Sequence, residues 1–292
     1  MSRLHLVDGT YELFRAHFSK RPSHSGPGGK DLKATVGIAS SLLALLHDDT
    51  EAVTHIAVAF DNPIRSFRND LFDGYKTEEG VPPELLAQFD DAEEATRALG
   101  VTVWSMKEFE ADDALASAAI RYQAEVEQVR IFTPDKDLNQ VVRGDRVVQV
   151  DPVRQKLINE EHVRKNKGVA PESIPDLLAL IGDTADGIPG LDGWGEKGAA
   201  AVLSVYEHLE KIPADVRAWT AKPRGAEKLS ATFNANREDA LLYRTLATLR
   251  HDAPINKTLE EIRFNGVPRE QFLAWCDKCA VTTLKSRPTR WA

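Results

Sequence analysis

The chain has little of several features that would mark a special class of protein. Only two of its 292 residues are cysteine, which excludes a disulfide scaffold and is typical of a reducing cytoplasm. No apolar run approaches the roughly 18 to 20 residues that a membrane-spanning helix needs. The first apolar run ends at Asp8 and is too short for the apolar core of a signal peptide. We therefore expect a cytoplasmic protein that does not enter a membrane.

Glycine and proline are not enriched, with 18 and 15 residues, and hydrophobic residues make up 42% of the sequence. This composition excludes disorder for most of the chain and supplies apolar surface for one large core or two smaller ones. The formal net charge is −8, from 45 acidic and 37 basic residues. This net charge argues against non-specific binding along nucleic acid, unless the excess acids are clustered to bind metal ions.

The first half of the chain alternates between two patterns. Short apolar runs rich in Val, Ile or Phe indicate buried parallel strands at 4–8, 55–61, 101–106, 129–135 and 147–151. Segments with helical spacing lie between them, at 35–48, 84–100 and 112–125. This alternation predicts an α/β fold with a mostly parallel sheet.

After about residue 152 the strand pattern fades and helical spacing dominates, in the segments 172–183, 196–212 and 236–250. The stretch KNKGVAPES separates the α/β pattern from the helical pattern. We therefore predict a domain of residues 1–168 followed by a helical domain of residues 169–292.

Three of the predicted strands end in an aspartate: Asp8, Asp61 and Asp135. Ligands of open parallel sheets bind beyond the carboxyl ends of the strands, so three carboxylates at one edge suit a metal site. Taken singly, each aspartate is as well explained as a helix cap or turn residue.

Six further acids lie at predicted element edges. Glu110, Asp112 and Asp113 open a helix, where acids are also favoured by the positive helix end. Asp137 follows Asp135 by two residues, and Asp183 and Asp186 are three apart in GDTADGIPG. Nine clustered carboxylates would repel one another, so divalent cations are the natural counter-charge, and all-oxygen ligands favour Mg²⁺ or Mn²⁺.

The segment GLDGWGEKGAAAVL contains Gly193, Gly195 and Gly198, which fit the GxGxxG pattern. A dinucleotide site needs that pattern directly after a strand, whereas here it follows a helix and a loop. The segment instead predicts a helix, a glycine turn and a second helix from about Glu196, with backbone N–H groups and Lys197 facing a phosphate. A plain turn between two helices is the alternative.

Eight motifs together resemble a known family, the 5′-nucleases related to flap endonucleases and to the 5′–3′ exonuclease domain of bacterial DNA polymerase I. They are LVDG (6–9), FD (60–61), SFR (66–68), YK (75–76), EADD (110–113), TPDKDL (133–138), GDTADGIPG (182–190) and GWGEKGA (193–199). The resemblance covers at least residues 4–275, and no polymerase region follows, so we expect a stand-alone enzyme.

The resemblance implies a PIN-like nuclease domain and a helix–three-turn–helix segment of the helix-hairpin-helix type, here about 177–207. It implies two Mg²⁺ or Mn²⁺ ions. The first ion would be held by Asp8, Asp61, Glu110, Asp112 and Asp113, and the second by Asp135, Asp137, Asp183 and Asp186, with Asp135 reaching both. Lys76 and Arg68 resemble the cations that steady the scissile phosphate, and a solvated surface base is the alternative for each.

In the hairpin segment the resemblance implies duplex binding by Gly187, Gly190, Gly193, Gly195, Lys197 and Gly198. It also implies a K⁺ ion held by backbone carbonyls within 187–199. Trp194 of this segment either stacks on DNA or packs beneath the turn, and packing is favoured.

Two features depart from the family pattern or fall outside it. Glu79 stands where family members usually carry a base, and residues 77–96 contain seven acids and no Lys or Arg. A 5′ strand passing this segment, the predicted arch, would be repelled. Cys276 and Cys279 form a CxxC pair without a second pair, so we interpret them as ordinary thiols rather than zinc ligands.

The function that follows from the resemblance is a metal-dependent, structure-specific 5′-nuclease, a hydrolase acting on DNA with 5′ flaps, ends or gaps. We expect a monomer that works in the bacterial cytoplasm, at the nucleoid, in replication or repair. Two alternatives stay open: a ribonuclease of the PIN type, and a catalytically weak protein of the same fold that binds DNA junctions.

Overall fold

The computed structural model describes residues 2–292, which form two compact units. The first unit comprises residues 2–66, Glu78–Thr133 and His251–Ala292, and the second comprises Phe67–Thr77 and Pro134–Arg250. The predicted division of the chain at residue 168 stays a prediction. Among the described residues, none of the helices has the length and apolar character needed to cross a bilayer.

The strands, numbered along the chain, are β1 Arg3–Asp8, β2 His55–Asp61, β3 Thr102–Met106, β4 Gln128–Phe132, β5 Val147–Asp151 and β6 Lys156–Ile158. The helices are α1 Gly9–Phe18, α2 Lys33–Leu46, α3 Arg68–Leu71, α4 Pro83–Leu86, α5 Phe89–Ala98, α6 Ala111–Tyr122, α7 Glu160–Lys167, α8 Ile174–Ile181, α9 Glu196–Tyr206, α10 Ala226–Ala235, α11 Arg237–Ala247 and α12 Arg269–Lys278.

The first unit is built on four parallel strands in the order β3-β2-β1-β4. In register, Leu4 of the central strand lies opposite His55 of β2 and Val129 of β4. β2 is buried along its whole length, which explains why it reads as an uninterrupted apolar run. The predicted α/β fold with a mostly parallel sheet is confirmed.

Capping side chains begin two helices of this unit at the strand ends. Asp8 is both the last residue of β1 and the N-cap of α1, where its carboxylate accepts a hydrogen bond from the Tyr11 N–H (2.8 Å). Glu110 and Asp113 form a reciprocal capping box at the start of α6, which packs against all four strands. The sheet and its capping residues therefore place acids at the carboxyl edge.

The second unit is mainly helical around one core. α8 packs against both α9 and α11, and the core includes Leu180, Trp194 and Phe233. β5 and β6 form an antiparallel pair. The predicted helices 172–183, 196–212 and 236–250 are present in shortened form as α8, α9 and α11. The three-residue strand β6 was not predicted, because so short a strand carries no pattern of its own.

Three predicted elements are wrong in detail. The helix predicted at 84–100 is broken into α4 and α5, because buried Gln88 turns its side-chain oxygen to the N–H groups of Ala34 and Thr35 at the start of α2 (3.0 and 3.1 Å). The strand predicted to Asp135 ends at Phe132. The helix predicted to 212 ends at Tyr206, because buried Asp176 holds the His208 ring and the Leu209 N–H (2.9 and 3.1 Å).

Candidate functional site

Three of the predicted metal ligands meet in the second unit. Asp137, Asp183 and Asp186 each offer a carboxylate oxygen, and these oxygens all lie within 4.8 Å of one another. Asp183 and Asp186 lie in a tight turn after α8 that is closed by two backbone hydrogen bonds between Asp183 and Ile188 (2.8 Å each). We call these three residues the acid cluster.

The acid cluster is buried and electrostatically unfavourable on its own. Only 4%, 4% and 9% of Asp137, Asp183 and Asp186 are exposed. Burial, and then the charges of Asp135, Asp186 and Asp183, raise the pKa of Asp137 well above its usual value. One carboxylate oxygen of Asp137, Oδ1, is buried without a hydrogen-bond partner. An unpartnered buried oxygen among carboxylates fits a hard divalent cation such as Mg²⁺ or Mn²⁺.

Two lysines contact the acid cluster. Lys76 Nζ lies 3.1 Å from Asp186 Oδ1, and the Lys76 N–H donates to the Asp186 carbonyl (3.0 Å). Lys136 Nζ lies 2.8 Å from Asp183 Oδ2. Burial alone would lower the pKa of Lys136, but the hydrogen bond to Asp183 and the neighbouring aspartate charges raise it. Lys136 was not singled out from the sequence, although its place between Asp135 and Asp137 is a readable signal.

Asp135 lies beside the acid cluster and is half-buried. Its carboxylate accepts the Asp137 N–H (2.9 Å), and its carbonyl accepts the Gln149 side-chain N–H (2.6 Å). These bonds fix the 3₁₀ turn Lys136–Val141 on which Asp137 is presented.

The other five acids belong to the first unit, where four of them accept hydrogen bonds. Asp8 Oδ2 accepts the Thr133 hydroxyl (2.9 Å), and Asp61 accepts the Ala111 N–H at the start of α6 (2.7 Å). Glu110 accepts the Ser66 hydroxyl (2.6 Å), while Asp113 Oδ2 accepts the Glu110 N–H (3.0 Å). The capping alternative therefore applies to Asp8, Glu110 and Asp113. Asp112, in the first turn of α6, is half-buried.

Arg68 has a buried position. Only 1% of it is exposed, and its guanidinium donates to the carbonyls of Leu246 (2.7 Å) and Thr248 (3.0 Å) at the end of α11. The alternative of a solvated surface base is thus wrong. The bonds to otherwise unpaired helix carbonyls favour a structural role, and a contact with the scissile phosphate stays a prediction.

The glycines of the hairpin segment serve two different purposes. A Cβ on Gly187 would lie 2.1 Å from the Gly74 carbonyl oxygen, and one on Gly190 would lie 2.4 Å from the Gly182 nitrogen. Both glycines are needed for close backbone packing. Gly195, by contrast, has nothing within 4 Å of its Cβ position, and it precedes the first residue of α9.

The open side of the turn carries the predicted phosphate-binding groups. Gly193, Gly195 and Lys197 are exposed, whereas Gly198 packs against Leu229. Trp194 is 5% exposed, and its ring centroid lies 6.1 Å from that of Phe233 and 6.5 Å from that of Trp219. Packing beneath the turn, rather than stacking on DNA, is therefore what Trp194 does in this fold.

The predicted arch is less acidic than its sequence suggests. Asp91 pairs with Lys30, Glu93 with Arg97 (2.7 Å) and Glu94 with Lys278 (2.6 Å). Three of the seven acids thus have a basic partner, two of them from distant segments of the first unit and one, Arg97, from the next turn of α5. Repulsion of a 5′ strand by this segment stays a prediction. Of the rest, Glu78, Glu79, Glu84 and Asp90 are exposed.

The two cysteines are buried and unpaired. Burial raises the pKa of the Cys276 thiol to about 11, and it also raises the pKa of Cys279. Both observations favour the interpretation as ordinary thiols.

Comparison with known proteins agrees with this architecture. A family model of the 5′–3′ exonuclease N-terminal resolvase-like domain matches residues 3–168, and one of the 5′–3′ exonuclease C-terminal SAM fold matches residues 169–270. Both models describe the same kind of protein, and together they span most of the chain.

Individual relatives point the same way. DNA polymerase I of Bacillus caldotenax is 34% identical over 278 residues, which are 93% of this chain but 31% of that protein. The chain thus spans about a third of the length of this relative. A 5′–3′ exonuclease of Aquifex aeolicus is 30% identical over 265 residues, covering 90% of this chain and 87% of the other.

A solved structure of the bacteriophage T5 flap endonuclease in complex with DNA and metal ions has a TM-score of 0.64 to this chain at 19% identity. The match covers 85% of this chain and 89% of the other, and it concerns the fold.

A resolvase-like α/β domain with acids at its strand ends, followed by a helical SAM-type region, defines the class of nuclease-like fold found here. The chain belongs to the 5′–3′ exonuclease family. The expected family and enzyme class are confirmed.

Proposed function

We propose that the protein is a metal-dependent 5′-nuclease that hydrolyses phosphodiester bonds in DNA carrying 5′ flaps, ends or gaps. The acid cluster carries this proposal, because a buried, unpartnered carboxylate oxygen beside two further aspartates has no purpose in packing. Membership of the 5′–3′ exonuclease family supports the same chemistry.

Four of the nine acids belong to the second unit and five to the first, and we assign one ion to each set. Asp137, Asp183 and Asp186, with Asp135 beside them, would hold one ion. The other would be held by Asp8, Asp61, Glu110, Asp112 and Asp113. When bound, two Mg²⁺ or Mn²⁺ ions supply an activated water and stabilise charge on the leaving oxygen.

The chain's own cations would position the substrate. Lys76 is 24% exposed in its side chain and is held at the rim of the acid cluster by Asp186, so its ammonium can reach a phosphate oxygen there. Arg68 is the other proposed phosphate contact, and its buried bonds to α11 make it the weaker of the two.

Duplex DNA would bind at the glycine turn before α9. The exposed backbone at Gly193 and Gly195, the free N–H groups of the α9 N-terminus and Lys197 together suit a phosphate. A K⁺ ion held by carbonyls within 187–199 belongs to this proposal, since Gly187 and Gly190 let the backbone fold tightly there. The working state would be a monomer at the nucleoid, in replication or repair.

The deciding experiment compares cleavage of a 5′-flap duplex, a nicked duplex and a single strand, with Mg²⁺, Mn²⁺ or EDTA. We expect metal-dependent cleavage of the flap or nicked DNA, lost in Asp137→Asn and retained in Asp239→Asn, which changes an exposed acid of the same unit. Cleavage of RNA in place of DNA would favour the PIN-type ribonuclease. Binding of the flap without cleavage would favour the junction-binding alternative.

A further inference from the structure

Lys136 holds an unusual position, since it lies between two proposed metal ligands and contacts a third. Its ammonium is 2.8 Å from Asp183 Oδ2, and Asp183 is nearly fully buried while 38% of the Lys136 side chain is exposed. The ammonium therefore reaches the acid cluster from the solvent side, on a flexible four-carbon stem.

Both oxygens of Asp183 are engaged. Oδ1 accepts the Ala185 N–H (3.0 Å), which fixes the orientation of the carboxylate, and Oδ2 carries the Lys136 ammonium. A divalent cation that uses Asp183 Oδ2 as a ligand would approach to about 2.1 Å and would repel an ammonium held on the same oxygen. The two cations compete for one oxygen.

Lys76 is not equivalent. Its ammonium contacts Asp186, its main chain is hydrogen-bonded to the Asp186 carbonyl, and less of its side chain is exposed. Lys76 is therefore retained at the rim, whereas the Lys136 side chain can swing into solvent when its oxygen is taken. Phosphate contact has been proposed for Lys76, and nothing so far explains Lys136.

We propose that Lys136 is a tethered competitor of the divalent ion at Asp183, which sets the affinity of that metal site and neutralises the acid cluster until the ion binds. The inference rests on the proposed function, because it takes the acid cluster to be a metal site. Lys136 acts through Asp183 and is thus an affinity-determining residue, with no contact to the reacting phosphate assigned to it.

Removal of the Lys136 charge has two opposite consequences. In Lys136→Met the ion no longer displaces an ammonium, so the dissociation constant of Mn²⁺ should fall about two- to fivefold, the range for a partly exposed charge pair. Without metal, the same variant should melt at a lower temperature than the parent, because Asp183 has lost its counter-charge. Lys136→Arg keeps the charge and should retain most of the parent behaviour in both measurements.

The experiment measures Mn²⁺ binding to the metal-free full chain without DNA, by the electron paramagnetic resonance signal of free Mn²⁺. Four chains form a double-mutant cycle: the parent, Lys136→Met, Asp183→Asn and the combined variant. Lys211→Met is the matched control, because Lys211 also pairs with an acid in the second unit but outside the acid cluster. We expect tighter binding from Lys136→Met only when Asp183 is present.

The outcomes separate the inference from the proposed function. If the parent and Asp183→Asn bind Mn²⁺ alike, the acid cluster is not a metal site and both fail. Suppose instead that Asp183→Asn weakens Mn²⁺ binding. If Lys136→Met then leaves the dissociation constant unchanged, or lowers it equally with and without Asp183, only the competitor role of Lys136 is wrong. Melting of the same chains in EDTA and in saturating Mn²⁺ gives a second readout. If Lys136→Met is less stable than the parent both in EDTA and in saturating Mn²⁺, the role of Lys136 is structural and the competitor role is wrong.

Discussion

Asp137→Asn should separate the stability of the protein from its activity, since it removes a buried carboxyl group of the acid cluster whose pKa is raised well above its usual value. We expect the variant to lose nearly all metal-dependent cleavage, because a proposed ligand is lost. In EDTA at neutral pH we expect it to be more stable than the parent, since an ionised Asp137 repels its neighbours and the introduced amide can donate to them instead.

The magnitude follows from the geometry. The carboxylate oxygens lie within 4.8 Å of one another, and at an effective dielectric constant of about 20 two unit charges at that limit repel with ~3.5 kcal/mol. Asp137 has two such neighbours in the acid cluster, while the ammonium groups of Lys76 and Lys136 cancel much of the repulsion. We therefore expect a gain of about 1–3 kcal/mol in the free energy of unfolding, at roughly 2–4 °C in melting temperature for each kcal/mol.

The pH dependence has a definite sign. The pKa of Asp137 is raised in the folded state, so the parent loses stability as pH rises from the unfolded pKa, 3.8, towards the folded one. The advantage of Asp137→Asn should therefore be absent below about pH 4 and fully developed once Asp137 ionises in the folded chain. Urea unfolding in EDTA across this range measures it. Addition of Mg²⁺ should then stabilise the parent more than the variant.

Asp192→Asn is the control for stability, because the Asp192 side chain is 90% exposed in the same unit. Equal or lower stability of Asp137→Asn in EDTA, with the control unchanged, would refute the reasoning. It would mean that the two lysines fully neutralise the acid cluster and that the charge of Asp137 does not destabilise the folded protein.

Three further predictions concern the substrate and the fold. Lys197→Ala should weaken duplex binding and lower its salt slope by about 1, as expected for one lost phosphate contact; an unchanged salt titration would leave the glycine turn a structural element only. Glu79→Arg should raise kcat/KM for flap cleavage at low salt, and Lys76→Ala should lower it strongly. Parental rates of both variants at every salt concentration would show that the predicted arch does not contact the 5′ strand. Arg68→Met should destabilise the chain by about 3 kcal/mol in urea, because two carbonyls at the end of α11 lose a charged donor; cleavage by the folded fraction at the parental rate would refute the proposed phosphate contact.

Much of the fold could be predicted because buried parallel strands leave a direct signature. β2 is buried at every residue, so its sequence is one apolar run that ends in Asp61. The bounds that failed depend on side chains from distant parts of the chain. Gln88 breaks a helix by bonding to α2, and Asp176 ends α9 by bonding to His208. Neither contact has a local sequence pattern.

The candidate site was predictable in composition but not in charge balance. The acids could be recognised at strand ends and in short motifs, because the ligands of a divalent ion share one chemical type and lie close together. Their counter-charges could not be read in this way. Lys136 is adjacent to two acids in sequence yet pairs with a third, and the arch acids pair with bases such as Lys30 and Lys278 from remote segments. Ion pairing of long side chains is decided by the fold.

Capping and metal ligation looked like competing explanations of the strand-end acids, but the two roles can use different oxygens of one carboxylate. In Asp183, which lies in the turn after α8, the first oxygen accepts a backbone N–H while the second faces Lys136. Because the backbone bond already orients the carboxylate, binding of a ligand to the second oxygen would cost little side-chain entropy. Asp8, at the end of β1, has the same division, with Oδ1 capping α1 and Oδ2 accepting the hydroxyl of Thr133. A backbone hydrogen bond to one oxygen would thus orient the other oxygen for a cation, so loss of that N–H geometry should weaken the proposed site without removing a ligand.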